Sequence, residues 1–283
     1  MKFTYISSLL STLLISIFST FQSAAAVDMH GVMCGGEIRP ADMAVVEQFM
    51  EDNPGINVTM EAVPWGTCQD KVINLAIAGD PVSFSYVGSR TLKGLAENGH
   101  IVAVDIPESQ KKMYQPGILD TVSYKGKVWG YPHAFSTKAL FMNCGLLEKA
   151  GLACEGPKTW NELYSMAEAV SNNVSGVAGI GLAGKDFDNT MHQFLNYLYS
   201  NGGQVIDPDT NEITLDSPNT VETLEFYAKL ANVSQEGPLA WERSQLRELI
   251  NDEKIAMYID GPWGRGQHKE ELDMKTVRIP AGP

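Results

Sequence analysis

Three aromatic residues lie where predicted β-strands end, and their positions indicate a binding surface. Trp65 follows the alternating segment Ile56–Val63, Tyr86 ends the next predicted strand, and Trp263 follows a third strand through a Gly-Pro turn. In open α/β sheets, ligands bind outside the carboxyl ends of strands. An aromatic face there can stack on the C–H face of a sugar ring, while short polar groups and an arginine such as Arg90 hydrogen-bond its hydroxyls.

For any one of these aromatic residues taken by itself, core packing or a loop clasp is the favoured interpretation, because large rings are most often used to fill cores. Two other tryptophans fit that interpretation more clearly. Trp129 lies in a predicted hairpin with Gly126 at its turn, and Trp160 lies in the first turn of a predicted helix.

Patterns that would indicate a cofactor, metal or nucleophile are incomplete. The run "GIGLAG" at Gly179–Gly184 has dinucleotide-motif spacing, but it lies mid-chain and leads into a loop. "DPDTNE" begins like a calcium loop, yet Glu212 replaces the required glycine and Pro218 the bidentate glutamate. The five histidines have no metal-site spacing, and no G-x-S-x-G run is found. We therefore expect no metal, no cofactor and no catalytic residue.

The charge of the chain argues against polyanionic partners. Its 283 residues carry 21 basic and 34 acidic side chains, a formal net charge of −13, without a Lys/Arg cluster. Nucleic acids and anionic membranes attract basic surfaces. We expect no nucleic-acid partner.

The first 26 residues have the pattern of a secretory signal peptide. Met1-Lys2 is a basic start, Ile6–Phe21 is apolar, and Ala24-Ala25-Ala26 provides small residues for cleavage. An N-terminal membrane anchor is the alternative, but the apolar run is shorter than the ~20 residues that a span needs. We predict a periplasmic or otherwise exported protein.

Four cysteines allow three disulfide pairings in an oxidising compartment. We favour Cys34–Cys68, because both would lie just after the carboxyl ends of neighbouring strands. Cys144–Cys154 is a second pairing, although the helical run "GLLEKAG" between them could hold them apart. Free, partly buried thiols remain the alternative.

The order of predicted elements indicates an α/β fold. A strand near Met29–Met33, a helix at Ala41–Asp52, the strand Ile56–Val63, a helix at Gln69–Ala78 and a strand around Val82–Val87 follow one another. Such alternation predicts a mainly parallel sheet covered on both faces.

A second region begins near Tyr124. Thr159 and Glu162 form a predicted capping box at the start of its first long helix. Its predicted helices are Trp160–Ser171, Thr190–Ser200, Thr220–Ala231 and Arg243–Asn251. The pattern predicts two α/β lobes joined without a loose tether.

Several runs together resemble a known family. They are "FMEDNPGINVTMEAVPW", "KVINLAIAGDP", "YKGKVWGYP", "LLEKAGL" followed by "PKTWNEL", "NGG" followed by "ITLDSP", and "INDEKIAMYIDGPW". In this order and at this spacing, they resemble the extracellular solute-binding proteins of sugar ABC importers, the maltose-binding-protein-like group. The resemblance covers nearly all of the chain after the signal peptide.

The resemblance implies a two-lobed, clamp-like architecture of the type II periplasmic-binding class, each lobe a mainly parallel sheet flanked by helices. The first lobe would be residues 27–132 and the second residues 133–276, with a hinge crossing near 133–136. Residues 277–283 would begin the return to the first lobe. Members capture a sugar or polyol between the lobes and deliver it to a membrane permease, without catalysis, and we expect a monomer.

The resemblance also implies roles for particular residues. Tyr86 and Trp263 take stacking positions, and Arg90 takes a polar position beside Tyr86. Ser136 falls where the maltose binder uses a carboxylate, so that contact differs here, and His192 falls near an aromatic contact of the second lobe. Trp65 is our addition from its place after a strand.

Two departures from the family pattern shape the alternatives. "DPVSF" at Asp80–Phe84 lacks the usual aspartate after proline. The chain also stops at "VRIPAGP", where members return to the first lobe and continue, so it resembles a truncated member. An exported carbohydrate-active enzyme is one alternative, since folding alone brings paired carboxylates together. A degenerate paralogue without a ligand is the other.

Overall fold

A computed structural model describes residues 26–283, and the predicted signal peptide, except for Ala26, lies outside the described residues. The chain divides into two compact units: the first ends at His133, and the second runs from Ala134 to Pro283. Within residues 26–283, no helix combines the length and apolar character that crossing a membrane requires.

The first unit is built on a three-stranded sheet in the order β2-β1-β3, and both pairs are parallel. Alternating strands and helices produce it, as the sequence predicts. Its elements are β1 (Val27–Cys34), α1 (Pro40–Asp52), β2 (Ile56–Val63), α2 (Trp65–Ile77), β3 (Phe84–Tyr86), α3 (Ser89–Glu97), α4 (Glu108–Lys111), α5 (Pro116–Thr121), β4 (Ser123–Tyr124) and β5 (Lys127–Val128).

A disulfide and a small apolar core hold the first unit together. Val32, Val63 and Val72 are buried around the Cys34–Cys68 disulfide. Cys34 is the last residue of β1, and Cys68 lies in the first turn of α2. The disulfide therefore fixes the start of α2 against the end of the sheet.

The second unit contains a four-stranded sheet in the order β7-β8-β6-β9. Only the β7–β8 pair is parallel, because β6 runs antiparallel to both of its neighbours. Its elements are β6 (Ala139–Asn143), α6 (Cys144–Lys149), α7 (Trp160–Asn173), β7 (Ala178–Gly181), α8 (Asp188–Ser200), α9 (Pro218–Leu230), α10 (Arg243–Asn251), β8 (Ile255–Asp260) and β9 (Met274–Val277), with short 3-10 helices at Ala231–Val233, Pro238–Ala240 and Pro262–Gly266.

The sheet of the second unit thus differs from the mainly parallel sheet expected for each lobe. The reason is the position of β6, the first strand of this unit, which is inserted between β8 and β9 and points the opposite way. Helix-linked β7 and β8 keep the parallel arrangement that the alternating pattern predicts.

The strand β8 is buried along its whole length rather than on one face. Leu246 and Ile250 of α10 pack against Ile255 and Tyr258 of the strand. On neighbouring β7, a methyl group at Gly179 would lie 1.9 Å from a backbone oxygen of α7, so that helix lies directly on the sheet. A central strand covered by helices needs no polar face.

The remaining local predictions are largely realised. Cys144 and Cys154 form a second disulfide. The hydroxyl of Thr159 accepts from the Glu162 amide at 3.2 Å, while the Glu162 carboxylate accepts from the Lys158 amide rather than from Thr159. Trp160 is buried and stacks on Phe226, with 4.4 Å between ring centroids, and Trp129 donates to the carbonyl of Tyr124 across the hairpin.

Candidate functional site

Trp65 and Tyr86 meet at one edge of the first unit's sheet. Both β2 and β3 run parallel to β1, so their carboxyl ends lie at the same edge. Tyr86 is the last residue of β3, and Trp65 is the first residue of α2, separated from the end of β2 only by Pro64. The two half-buried rings lie 5.9 Å apart between centroids, with an interplanar angle of 58°.

His133 and an ion pair extend this aromatic pair. The His133 ring packs edge-on against Tyr86 at 4.8 Å. Arg39 donates to Asp42 at 2.8 and 2.9 Å and also donates to Nε2 of His133. The hydrogen bond from Arg39 lowers the pKa of Asp42 below its usual value. We call Arg39, Asp42, Trp65, Tyr86 and His133 the first-unit cluster.

Arg90 lies beside this cluster, on the exposed first turn of α3. A methyl group at Gly88 would lie 3.5 Å from both Arg90 Nη1 and the Trp65 ring, so the two side chains flank this glycine. Buried Gln69 accepts from the Gly88 amide at 3.2 Å and from the Thr91 hydroxyl. These hydrogen bonds to Gln69 hold the turn on which Arg90 lies.

A fully buried carboxylate organises the corresponding edge of the second unit. Asp260, the last residue of β8, has 0% exposure. Each of its two oxygens accepts three hydrogen bonds, and these bonds compensate its charge inside the protein. The donors are Arg243, Arg247 (2.9 and 2.7 Å), Tyr258 (2.9 Å), the Gly261 amide (2.7 Å) and Trp263 (2.8 Å).

Trp263 is positioned by this carboxylate and by the glycine before it. Its indole N–H donates to Asp260, yet the side chain remains 37% exposed. A methyl group at Gly261 would lie 2.4 Å from the indole ring, so only glycine permits the ring to fold over this turn. The sequence therefore places an oriented, partly exposed indole at the carboxyl end of β8.

Two cations lie against the Trp263 ring. Lys138 Nζ is 4.6 Å from the ring centroid, and the Arg243 guanidinium carbon is 4.9 Å from it. Burial, followed by the charge of Arg243, lowers the pKa of Lys138 below the ordinary value. The ammonium also donates to Ser136 Oγ at 3.0 Å. We call Lys138, Arg243, Arg247, Asp260 and Trp263 the second-unit cluster.

The structure brings some predicted residues together. Trp65, Tyr86 and Arg90 lie at one sheet edge, and Ser136 is joined to Trp263 through Lys138. His192 lies on α8, one helical turn after Asp188. Residues at this spacing share a helix face.

Sequence patterns did not point to the charged residues of the two clusters or to His133. The missed residues are Arg39, Asp42, His133, Lys138, Arg243, Arg247 and Asp260. One signal was available: Asp260 ends an otherwise apolar strand, and a carboxylate there requires buried partners. Arg243 and Arg247, four residues apart on the preceding helix, are such partners.

Asp260 and Tyr258 act as hydrogen-bonding groups that hold neighbouring side chains of the second unit. Within residues 26–283, no group of three or more His, Cys, Asp or Glu side chains has metal-site geometry. Asp260 has its oxygens occupied by six donors, and burial raises the pKa of Tyr258, which stays a protonated donor.

Comparison with known proteins identifies the family. Residues 35–280 match the model for "Bacterial extracellular solute-binding protein". The chain belongs to this family. A Brucella abortus binding protein is 27% identical over 98% of this chain and 68% of its own length, and the Bacillus subtilis maltodextrin-binding protein is 26% identical over 67% and 45%.

Solved structures of solute-binding proteins share the fold. A Thermotoga lettingae protein bound with alpha-D-tagatose superposes with a TM-score of 0.76 at 24% identity, covering 91% of this chain and 69% of that one. Maltose-bound MalE3 of T. maritima superposes with a TM-score of 0.75 at 22% sequence identity, covering 91% of this chain and 68% of MalE3. The predicted α/β fold of the type II periplasmic-binding class is confirmed.

Proposed function

We propose that this solute-binding protein captures a sugar or related polyol and delivers it to the membrane permease of an ABC importer. The observation that carries the proposal is Trp263, an indole that is 37% exposed while its N–H is bonded to the buried Asp260. Such a ring is already oriented before a ligand arrives. Preorganisation lowers the entropy lost on binding.

The first-unit residues support the same assignment. Trp65 and Tyr86 present half-buried rings at the carboxyl ends of parallel strands, where ligands of α/β sheets bind. We propose stacking roles for these rings and a hydroxyl-binding role for Arg90. Ser136 and His192 are further proposed contacts, carried by the family resemblance.

The names of the relatives are consistent with a carbohydrate ligand. The similar structures were solved with tagatose and maltose bound, and one sequence relative is a maltodextrin-binding protein. We further propose export through residues 1–26, a monomer without a nucleic-acid partner, and lobes at 27–132 and 133–276. The hinge crossing would lie near 133–136, and residues 277–283 would begin the return to the first lobe.

We propose that the chain does not catalyse a reaction on its ligand. General acid–base catalysis requires a carboxyl or imidazole group free to exchange a proton with the substrate. Asp260, the carboxylate nearest Trp263, is buried and serves as an acceptor for six donors. It orients neighbouring groups instead.

Tryptophan fluorescence titrated with a panel of mono- and disaccharides tests the binding proposal. We expect a saturable change with at least one sugar. Trp263→Phe should remove most of that change, whereas Trp129→Phe should retain it, because Trp129 is bonded within a hairpin. Calorimetry on Trp263→Ala should show a loss of affinity.

Three outcomes would contradict the proposal. A chain that is folded by circular dichroism but responds to no sugar would oppose it. Turnover of chromogenic glycosides would favour the exported enzyme. Unchanged thermal stability with every sugar would favour the ligand-free paralogue, because a ligand that binds only the folded state must stabilise it.

A further inference from the structure

Lys138 is placed to receive part of a ligand. Its ammonium lies half-buried between the Ser136 hydroxyl, at 3.0 Å, and the face of Trp263, at 4.6 Å from the ring centroid. An ammonium group has three N–H donors. The bond to Ser136 uses one of these donors, and a ligand beside the indole can accept from another.

The charges around Lys138 act on it in opposite directions. Arg243 of α10 repels it, while Asp260 of β8 and Asp188 of α8 attract it. Asp260 is already bound by both Arg243 and Arg247. Lys138 therefore shares the attraction of Asp260 with two arginines that bind this carboxylate directly.

A second donor in the cluster is also unused. Arg243 directs Nη1 to Asp260, but its buried Nε has no hydrogen-bond partner among residues 26–283. Buried donors without partners are costly, and hydrogen bonds between ionised groups are the strong ones. An anion that reached this Nε would give it a charge-assisted hydrogen bond.

We propose that the ligand is an anionic sugar, whose carboxylate oxygens or phosphate-ester oxygens bind Lys138 beside Trp263. This inference rests on the proposed function and deepens it. An oxygen bonded to Nζ at about 2.8 Å brings the attached sugar ring next to the indole, because Nζ already lies over that ring. A neutral sugar would meet the same ammonium without neutralising it.

Calorimetric titration with matched pairs of sugars tests the inference. Glucuronate is compared with glucose, and galacturonate with galactose, on the purified chain. We expect the acid of at least one pair to bind about ten- to hundredfold tighter, the range given by hydrogen bonds to charged groups. Glucose 6-phosphate forms a separate arm, which distinguishes a phosphate ester from a carboxylate as the source of the charge.

Two substitutions assign the preference to Lys138. Lys138→Met should abolish the preference for the acid, and Lys138→Arg should restore part of it. Lys229→Met is the matched control, because Lys229 Nζ also lies over an aromatic ring, that of Tyr164 at 4.2 Å, outside the cluster. It should leave the preference unchanged.

The outcomes separate this inference from the proposed function. Equal or tighter binding of the neutral sugars would overturn the anionic ligand and leave sugar binding intact. A preference that survives in Lys138→Met would overturn the role of Lys138. The absence of binding by every sugar, with the chain folded, would overturn both.

Discussion

The two clusters hold their aromatic residues by different physical means. Tyr86 is held by contacts with the rings of Trp65 and His133, at a partly exposed edge. Trp263 is instead held by a hydrogen bond to Asp260, which has no exposure. Ring contacts allow small rotations at little cost, whereas a charge-assisted hydrogen bond fixes a direction. The second-unit ring is therefore the more rigidly oriented.

The ion pairs of the two clusters differ in the same way. Arg39 and Asp42 have side-chain exposures of 50% and 14%, so solvent screens their attraction. In the second unit, Arg243 and Arg247 have 16% and 10%, and their shared carboxylate has none. Removing one partner of the ion pair should therefore lower the free energy of unfolding only slightly in the first-unit cluster and strongly in the second-unit cluster.

Asp260→Ala should have the largest effect. It leaves Arg243 and Arg247 buried without their carboxylate, and breaking such a pair costs about 3–5 kcal/mol. The matched change in the first cluster, Asp42→Ala, should cost less than about 1 kcal/mol. Urea unfolding followed by circular dichroism measures both changes. Similar losses for the two variants would contradict the difference between the clusters.

Disulfide removal should have the next largest effect and should distinguish the units. Cys34–Cys68 spans 34 residues and Cys144–Cys154 spans 10. Longer loops lose more entropy on closure, so Cys34→Ser with Cys68→Ser should cost about 1 kcal/mol more than the other pair. The first pair should also alter the Trp65 signal, because Cys68 lies in the same helical turn. Equal losses would contradict the loop-length argument.

The sequence predicts the positions of the rings better than the groups that hold them. Strand ends follow from alternating apolar residues and from Gly-Pro turns, which act locally. Trp263 could therefore be placed at a strand end from the sequence. Its partners Arg243 and Lys138 lie on α10 and beside β6, and only the fold brings them to Asp260 and to the indole.

The local sequence pattern also failed to predict the direction of β6 and the first residue of α2. The apolar run of β6 has no feature that specifies direction, so its antiparallel position was missed. The helix α2 begins at Trp65 rather than at the predicted Gln69. The prediction started too late because "WGTC" lacks the apolar spacing that indicates a helix. Trp65 therefore lies on a helix rather than on a loop.

The stability contributed by Asp42 should depend on pH. Its hydrogen bond with Arg39 lowers the pKa of the folded state, so the contribution is complete above the pKa of the unfolded chain. It should disappear as the pH falls from about 4, the ordinary aspartate value, through the lowered folded pKa. Acid unfolding of the wild type and Asp42→Asn measures this difference. A difference in the free energy of unfolding between the two proteins that stays constant at low pH would contradict this prediction.

Lys138→Met should have the smallest effect on stability and the opposite sign. Burial and Arg243 lower the pKa of Lys138, so the folded state disfavours its charge and stability rises with pH through the lowered pKa. Removing the charge should slightly stabilise the ligand-free chain below that pKa, and the gain should fade at alkaline pH. Lys229→Met is the control, and thermal unfolding at several pH values is the measurement. A destabilised Lys138→Met variant would show that the ammonium serves the fold.

Native mass spectrometry of the chain mixed with each sugar tests sugar binding most directly. We expect a one-to-one complex, whose mass is that of the chain plus one sugar molecule, with at least one of the sugars. The complex should weaken in Trp263→Ala and persist in Trp129→Phe. A folded chain that shows only its unliganded mass with every sugar would contradict the account, and so would complexes that survive unchanged in Trp263→Ala.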